Sequence, residues 1–132
     1  VTRRLHFSAA HRLWNPRWSD EQNGRVFGVC GNPNYHGHNY NLDVSVDGEI
    51  DPDSGYVLDI NRLKEIVQQH VIGALDHRNL NLDVPWFRDL NPTAENIVVV
   101  CWRVLEPVLR PARLTHIRLW ETERNYVDYG GE

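Results

Sequence analysis

Apolar and polar residues alternate from the start of the chain. Leu5, Phe7, Ala9 and His11 share one side of an extended segment, with Arg4, His6, Ser8 and Ala10 on the other, which predicts a strand over residues 1–11. The alternation returns at His36, His38, Tyr40, Leu42, Val44 and Val46, opposed by Asn39, Asn41, Asp43, Ser45 and Asp47. A second strand reaching about residue 50 is expected there. Asp51-Pro52-Asp53-Ser54-Gly55 has the residues of a hairpin turn and leads into an expected third strand over 56–59. The period then changes. Leu63, Ile66, Val67 and Val71 form one helical stripe from Asn61, with Gly73 as the stop, and a second helix opens near Asn91-Pro92-Thr93 with Asn91 or Thr93 as cap. Its stripe is Ile97, Val100, Cys101, Val104 and Leu105, and Pro107 is expected to end it. Two last strands, 114–121 and 125–129, meet at a turn containing Glu123-Arg124. Between the first two strands lies an Asn-, Gly- and Pro-rich loop, in which Ser19-Asp20-Glu21-Gln22 is a capping box for one short helix.

Strands on either side of two consecutive helices predict an α+β domain over residues 1–132. We expect an antiparallel four-stranded sheet with both helices on one face. A chain of 132 residues, 41% of them hydrophobic, can bury one core. The net charge of −4 and the lack of any basic run argue against nucleic-acid or anionic-membrane partners. There is no apolar stretch of eighteen residues and no signal-peptide pattern, so a cytoplasmic location is expected. Two cysteines do not make a disulfide scaffold. Cys101 falls in the helical stripe and is expected to pack as a small hydrophobe, which leaves Cys30 as the thiol of interest.

A long loop inside a compact domain is usually functional, and this one delivers Cys30 to the strand that begins with His36. Residues two apart on a strand face the same way, about 6.6 Å apart, so His36 and His38 point inward together. His11 ends the apolar row of the first strand. A lone His-x-His is weak evidence, but three imidazoles from two strands match the ligand set of an open catalytic zinc site. Cys30 could instead close the fourth position and make the metal structural. Two acidic features also break local rules. Glu121 falls in the apolar row after Ile117 and Leu119, where a carboxylate needs a cation or a planar donor pair. Asp76-His77, just after the first helix, is either a polar loop or a proton relay on a tight turn.

The chain resembles the 6-pyruvoyl tetrahydropterin synthase family over nearly its whole length. The motifs are Phe7-Ser8-Ala9-Ala10-His11-Arg12-Leu13, Cys30-Gly31-Asn32-Pro33-Asn34-Tyr35-His36-Gly37-His38-Asn39-Tyr40 and Gly48-Glu49-Ile50-Asp51-Pro52. They continue with Leu75-Asp76-His77-Arg78-Asn79-Leu80, Pro92-Thr93-Ala94-Glu95-Asn96, Trp120-Glu121-Thr122 and Gly130-Gly131-Glu132. Carried over by position, the resemblance implies that His11, His36 and His38 bind zinc, that Cys30 is the catalytic base and that Asp76 and His77 complete a relay. Glu121 would anchor the pterin, Thr93 would add a contact, and Glu95 would support it or cap the helix. Family members often carry two threonines where this chain has Thr93-Ala94. The implied reaction converts 7,8-dihydroneopterin triphosphate to 6-pyruvoyl-tetrahydropterin with loss of triphosphate, which magnesium would accompany.

The resemblance further implies the tunnelling fold, in which sheets from three subunits close a barrel and two trimers stack into a homohexamer with active sites between subunits. A related 6-carboxy-tetrahydropterin synthase usually has three residues between its cysteine and His-x-His; here there are five. A non-catalytic zinc- or pterin-binding module is the remaining alternative.

Overall fold

The computed structural model describes residues 1–132. Strand β1, Thr2–His11, pairs antiparallel with β2, His36–Asp47, in a register that sets Leu5 opposite Leu42, Phe7 opposite Tyr40, Ala9 opposite His38 and His11 opposite His36. The inward rows are those the alternation predicts: Phe7, Tyr40, Leu42 and Val44 are fully buried, and the Phe7 and Tyr40 rings stack at 4.7 Å. Strand β4, Arg113–Trp120, lies against β2 with a register shift at Ser45/Val46, and β5, Tyr126–Tyr129, pairs with β4.

The sheet differs from the expected one in two ways. A two-residue strand β3, Arg78–Asn79, pairs in parallel with β1 at Ala9 and Ala10, so the sheet is mixed and five-stranded in the order β3-β1-β2-β4-β5. Two residues are too few to show a period, and the chain reaches this position only because His77 adopts a left-handed conformation with φ 59°. The strand expected over 56–59 does not form. The turn before it is closed by Asp51 N–H donating to Tyr56 O and Gly55 N–H donating to Asp51 O, after which Asp59 caps a helix instead of extending a ladder.

That helix, α2, spans Ile60–Val67 and buries Leu63, Ile66 and Val67. Gly73 does not stop it. A π-helical turn, Gln68–Ile72, carries the chain into a last short helix α3, Gly73–Leu75, and the wider turn lets Val71, Ile72 and Leu75 all reach the core. Helix α4, Leu80–Asp83, is a single turn. Helix α5, Ala94–Leu109, crosses the same sheet face, burying Ile97, Val98, Cys101, Trp102 and Leu105. Pro107 does not end α5, since a proline in the last turn removes only one backbone bond and the helix continues two residues further.

The long loop is held down by two asparagine clasps. Ser19 caps helix α1, Asp20–Phe27, as the capping box predicts, its hydroxyl accepting from Gln22 N–H at 3.1 Å. Inside the loop, the fully buried Asn23 accepts from Asn15 N–H at 2.7 Å and donates to Asn15 O at 2.9 Å and Ser19 O at 3.1 Å. Asn81 clasps the loop's start in the same two-way fashion, accepting from Arg12 N–H and donating to Arg12 O. The Asn23→Ala substitution strands buried backbone groups of Asn15 and is expected to cost about 2 kcal/mol in urea denaturation. A change below about 0.5 kcal/mol, the size of an ordinary surface effect, would contradict this account of the loop.

Candidate metal centre and active site

The register between β1 and β2 gathers the three histidines at one end of the sheet. His11 and His36 face each other across the pair, and the small Ala9 opposite His38 leaves room for its ring. Ring centroids are 4.5 Å apart for His11–His36, 5.1 Å for His11–His38 and 5.0 Å for His36–His38, and the ligand atoms lie within 4.8 Å of one another. Neither ring nitrogen of His36 nor Nε2 of His11 has a hydrogen-bond partner, although all are buried. Buried polar atoms are almost always paired, so unpartnered ring nitrogens on two histidines whose ligand atoms lie close to that of a third fit a metal ion. The three histidines could therefore hold a metal ion. Neither Cys30 nor Glu121 belongs to this cluster.

The tautomer of His11 follows from its partner. Nδ1 lies 2.8 Å from the carbonyl of Pro92, which can only accept, so Nδ1 carries the proton and Nε2 keeps a lone pair for a metal. Burial lowers the His11 pKa to about 4, against the opposing pull of the Pro92 carbonyl, and burial likewise lowers that of His36. Both rings are thus neutral at pH 7, the form that ligates. Tyr40 closes the floor beneath them, its hydroxyl 3.4 Å from His11 Nδ1 and its pKa pushed up by burial.

Glu121 lands at the same place. It follows β4, with Oε2 4.0 Å from His11 Nε2 and Oε1 accepting from Asn125 Nδ2 at 3.4 Å. No arginine or lysine pairs with it, so the simple structural salt bridge is absent. Thr93 caps α5, its hydroxyl oxygen accepting from Asn96 N–H at 3.2 Å, which leaves its own proton free to donate. Glu95 is exposed in the first turn of that helix.

Asp76 and His77 form the pair that the sequence suggested. Asp76 Oδ1 accepts from Ser8 N–H at 2.9 Å and Oδ2 sits 3.0 Å from His77 Nδ1. The Ser8 N–H, with His77 adding to it, holds the Asp76 carboxyl below the ordinary carboxylate range. The ionised carboxylate orients an imidazole that is 83% exposed. His77 and His38 line one cleft of about 440 Å³ together with Ser8, Ala10, Gly37 and Asn79. Cys30 stands in a 3₁₀ turn, Gly28–Gly31, half-exposed, with its carbonyl accepting from Leu13 N–H at 2.9 Å. Trp14 and Trp18 line a separate cleft of about 500 Å³ beside Pro92, and Cys101 is packed in the core as expected. The role of the Pro92 carbonyl and of the Asn81 side chain carried no signal, because a backbone acceptor and a loop clasp leave no periodic trace.

An α+β domain in which three histidines that could hold a metal ion gather beside a carboxylate without an arginine or lysine partner defines the type of centre. The whole chain, residues 1–132, matches the family described as 6-pyruvoyl tetrahydropterin synthase. It is 47% identical over 132 residues to the 6-pyruvoyl tetrahydrobiopterin synthase of Pongo abelii and 46% identical to that of Homo sapiens, each match covering 100% of this chain and 91% of the relative. The structure of Caenorhabditis elegans 6-pyruvoyl tetrahydropterin synthase superposes with a TM-score of 0.94 at 40% identity, over 100% of this chain and 94% of that one. The chain belongs to the 6-pyruvoyl tetrahydropterin synthase family.

The depressed His11 pKa predicts a pH dependence for the metal-free protein. The unfolded chain takes up a proton at about pH 6.5, whereas the folded one resists until about 4, so stability is full above 6.5 and is lost as pH falls through this window. The loss amounts to roughly 3 kcal/mol at most. Denaturation of metal-free wild type between pH 7 and 4.5 should show the decline, and His11→Gln should flatten it; equal slopes would contradict the assignment.

Proposed function

We propose that the chain is a zinc-dependent 6-pyruvoyl tetrahydropterin synthase, a lyase converting 7,8-dihydroneopterin triphosphate to 6-pyruvoyl-tetrahydropterin with elimination of triphosphate. The observation that carries this reading is the convergence of His11, His36 and His38, with orphaned nitrogens, in a chain that matches the family from end to end. Imidazole ligands suit zinc. When bound, zinc supplies a Lewis acid that holds side-chain oxygens of the substrate and acidifies the neighbouring C–H bonds.

The protein's own groups divide the remaining work. Glu121 accepts two N–H bonds from the 2-amino-pyrimidinone edge of the pterin, the planar donor pair that an inward carboxylate without a cation requires. The free Thr93 proton adds one contact; Glu95 supports it from the first helical turn. Cys30 takes the proton as the base, and His77, oriented by Asp76, passes the proton on. Magnesium accompanies the triphosphate.

Assembly is part of the proposal. β3 covers only Ala9 and Ala10 of β1, and the outer side of β5 has no partner, so both sheet edges are open. Open edges invite pairing, and three sheets joined edge to edge close a barrel, with two trimers making a homohexamer. No helix is long and apolar enough to cross a membrane. Cys30 and Cys101 are both free thiols, which suits a reducing cytoplasm.

Incubation with dihydroneopterin triphosphate should release triphosphate and yield the pyruvoyl product; a carboxy product would assign the chain to the sister activity. Cys30→Ala should keep its zinc and lose about 10²- to 10⁴-fold in turnover, the usual contribution of a positioned base. Loss of zinc in that variant would instead make Cys30 a structural ligand. Glu121→Gln should lower kcat/KM by about 10- to 100-fold, as expected for a charged hydrogen bond to substrate; unchanged kcat/KM would remove Glu121 from the site.

A further inference from the structure

Pro92 lies just before the cap of α5, so its carbonyl is not spent on the helix, and its buried position places that oxygen under His11. Apart from the more distant Tyr40 hydroxyl, nothing else bonds to Nδ1 of that ring. The aim of Nε2 therefore depends on where the Pro92 carbonyl sits. Two asparagines decide that. Asn96 Nδ2 donates to Asn91 O at 2.8 Å, and Thr93 N–H donates to the same oxygen at 2.8 Å, which closes a tight bend around Pro92. Asn91 Oδ1 accepts from Trp14 N–H at 3.2 Å, tying the bend to the segment that leaves His11. The result is a closed circuit: along the backbone from His11 to Trp14, by hydrogen bond to Asn91, along the chain to Pro92, and by hydrogen bond back to His11.

We propose that Asn96 and Asn91 are positioning residues for the metal centre, fixing the Pro92 carbonyl so that His11 presents Nε2 to the ion. The inference rests on the metal reading of the three histidines. It is separable from helix capping, because the bond that caps α5 runs from the backbone N–H of Asn96 to the Thr93 hydroxyl, and no side-chain change at position 96 removes it. Partners that orient a ligating histidine typically contribute 10- to 100-fold to metal affinity. The circuit also couples two parts of the site: the bend that holds Pro92 ends at Thr93, so displacement of one moves the other.

The test is zinc affinity measured by competition with a chromophoric chelator, with cobalt(II) absorption reporting ligand geometry. Asn96→Asp keeps the shape of the side chain and suits the first turn of a helix, yet it cannot donate to Asn91 O. Asn91→Ala removes the acceptor for Trp14, and Asn91→Asp keeps it. Asn96→Asp and Asn91→Ala should bind zinc about 10- to 100-fold more weakly and alter the cobalt spectrum, while the melting midpoint of the metal-free protein falls only by the few degrees that one lost hydrogen bond costs. Asn91→Asp should restore affinity and spectrum. Wild-type affinity and spectrum in Asn96→Asp and Asn91→Ala would overturn the proposal, as would a loss that merely tracks a lower metal-free melting midpoint. A wild-type protein that binds no zinc would overturn the metal reading and this inference with it.

Discussion

A slip of one residue in the pairing of β1 with β2 would turn one strand's core side chains outward, because neighbouring residues on a strand face opposite sides. Depending on which strand moved, His11 would leave the cluster, or His36 and His38 would. The register is enforced by what lies further along the same rows. Phe7 stacks on Tyr40, Leu5 meets Leu42, and these buried pairs make any other alignment costly. The apolar core is thus also the jig for the polar site: hydrophobic burial fixes the strands, and the strands fix three imidazoles that would not gather unaided. Burial there disfavours the protonated form of His11 and His36, which keeps their lone pairs available to a cation.

The other candidate groups are positioned by separate routes. Glu121 arrives because the inward row of β4 runs on past Leu119, so a carboxylate stands where the core gives out. Thr93 and Pro92 arrive with the start of α5. Asp76 and His77 arrive through the left-handed turn that also creates β3, with Ser8 N–H clamping the carboxylate. Cys30 is carried by a loop pinned by the Asn23 and Asn81 clasps, with Trp18 stacked on Phe27 inside it.

The strand rows, the α5 stripe and the Ser19 capping box were legible because each repeats a simple period or local rule, and the three clustered histidines were legible because they continue such rows. Family motifs added the expected roles of Cys30, Thr93 and Glu95, which no period reveals. β3 was not legible, being two residues long and dependent on the positive φ of His77. The strand expected after Gly55 failed because Asp59 is a better helix cap than a ladder residue. Gly73 looked like a stop only under α-helical geometry; the π-helical turn before it shifts the phase and keeps Leu75 in the core. The hydrogen bond from His11 to Pro92 involves a backbone oxygen, so it became apparent only in three dimensions.

The most direct measurement is X-ray absorption at the zinc edge of the metal-loaded protein. Three nitrogen scatterers with imidazole signatures at about 2.0–2.1 Å, one further light atom and no sulfur shell are predicted. A sulfur shell at about 2.3 Å would place Cys30 on the metal and contradict the account of an open site with a separate thiol base.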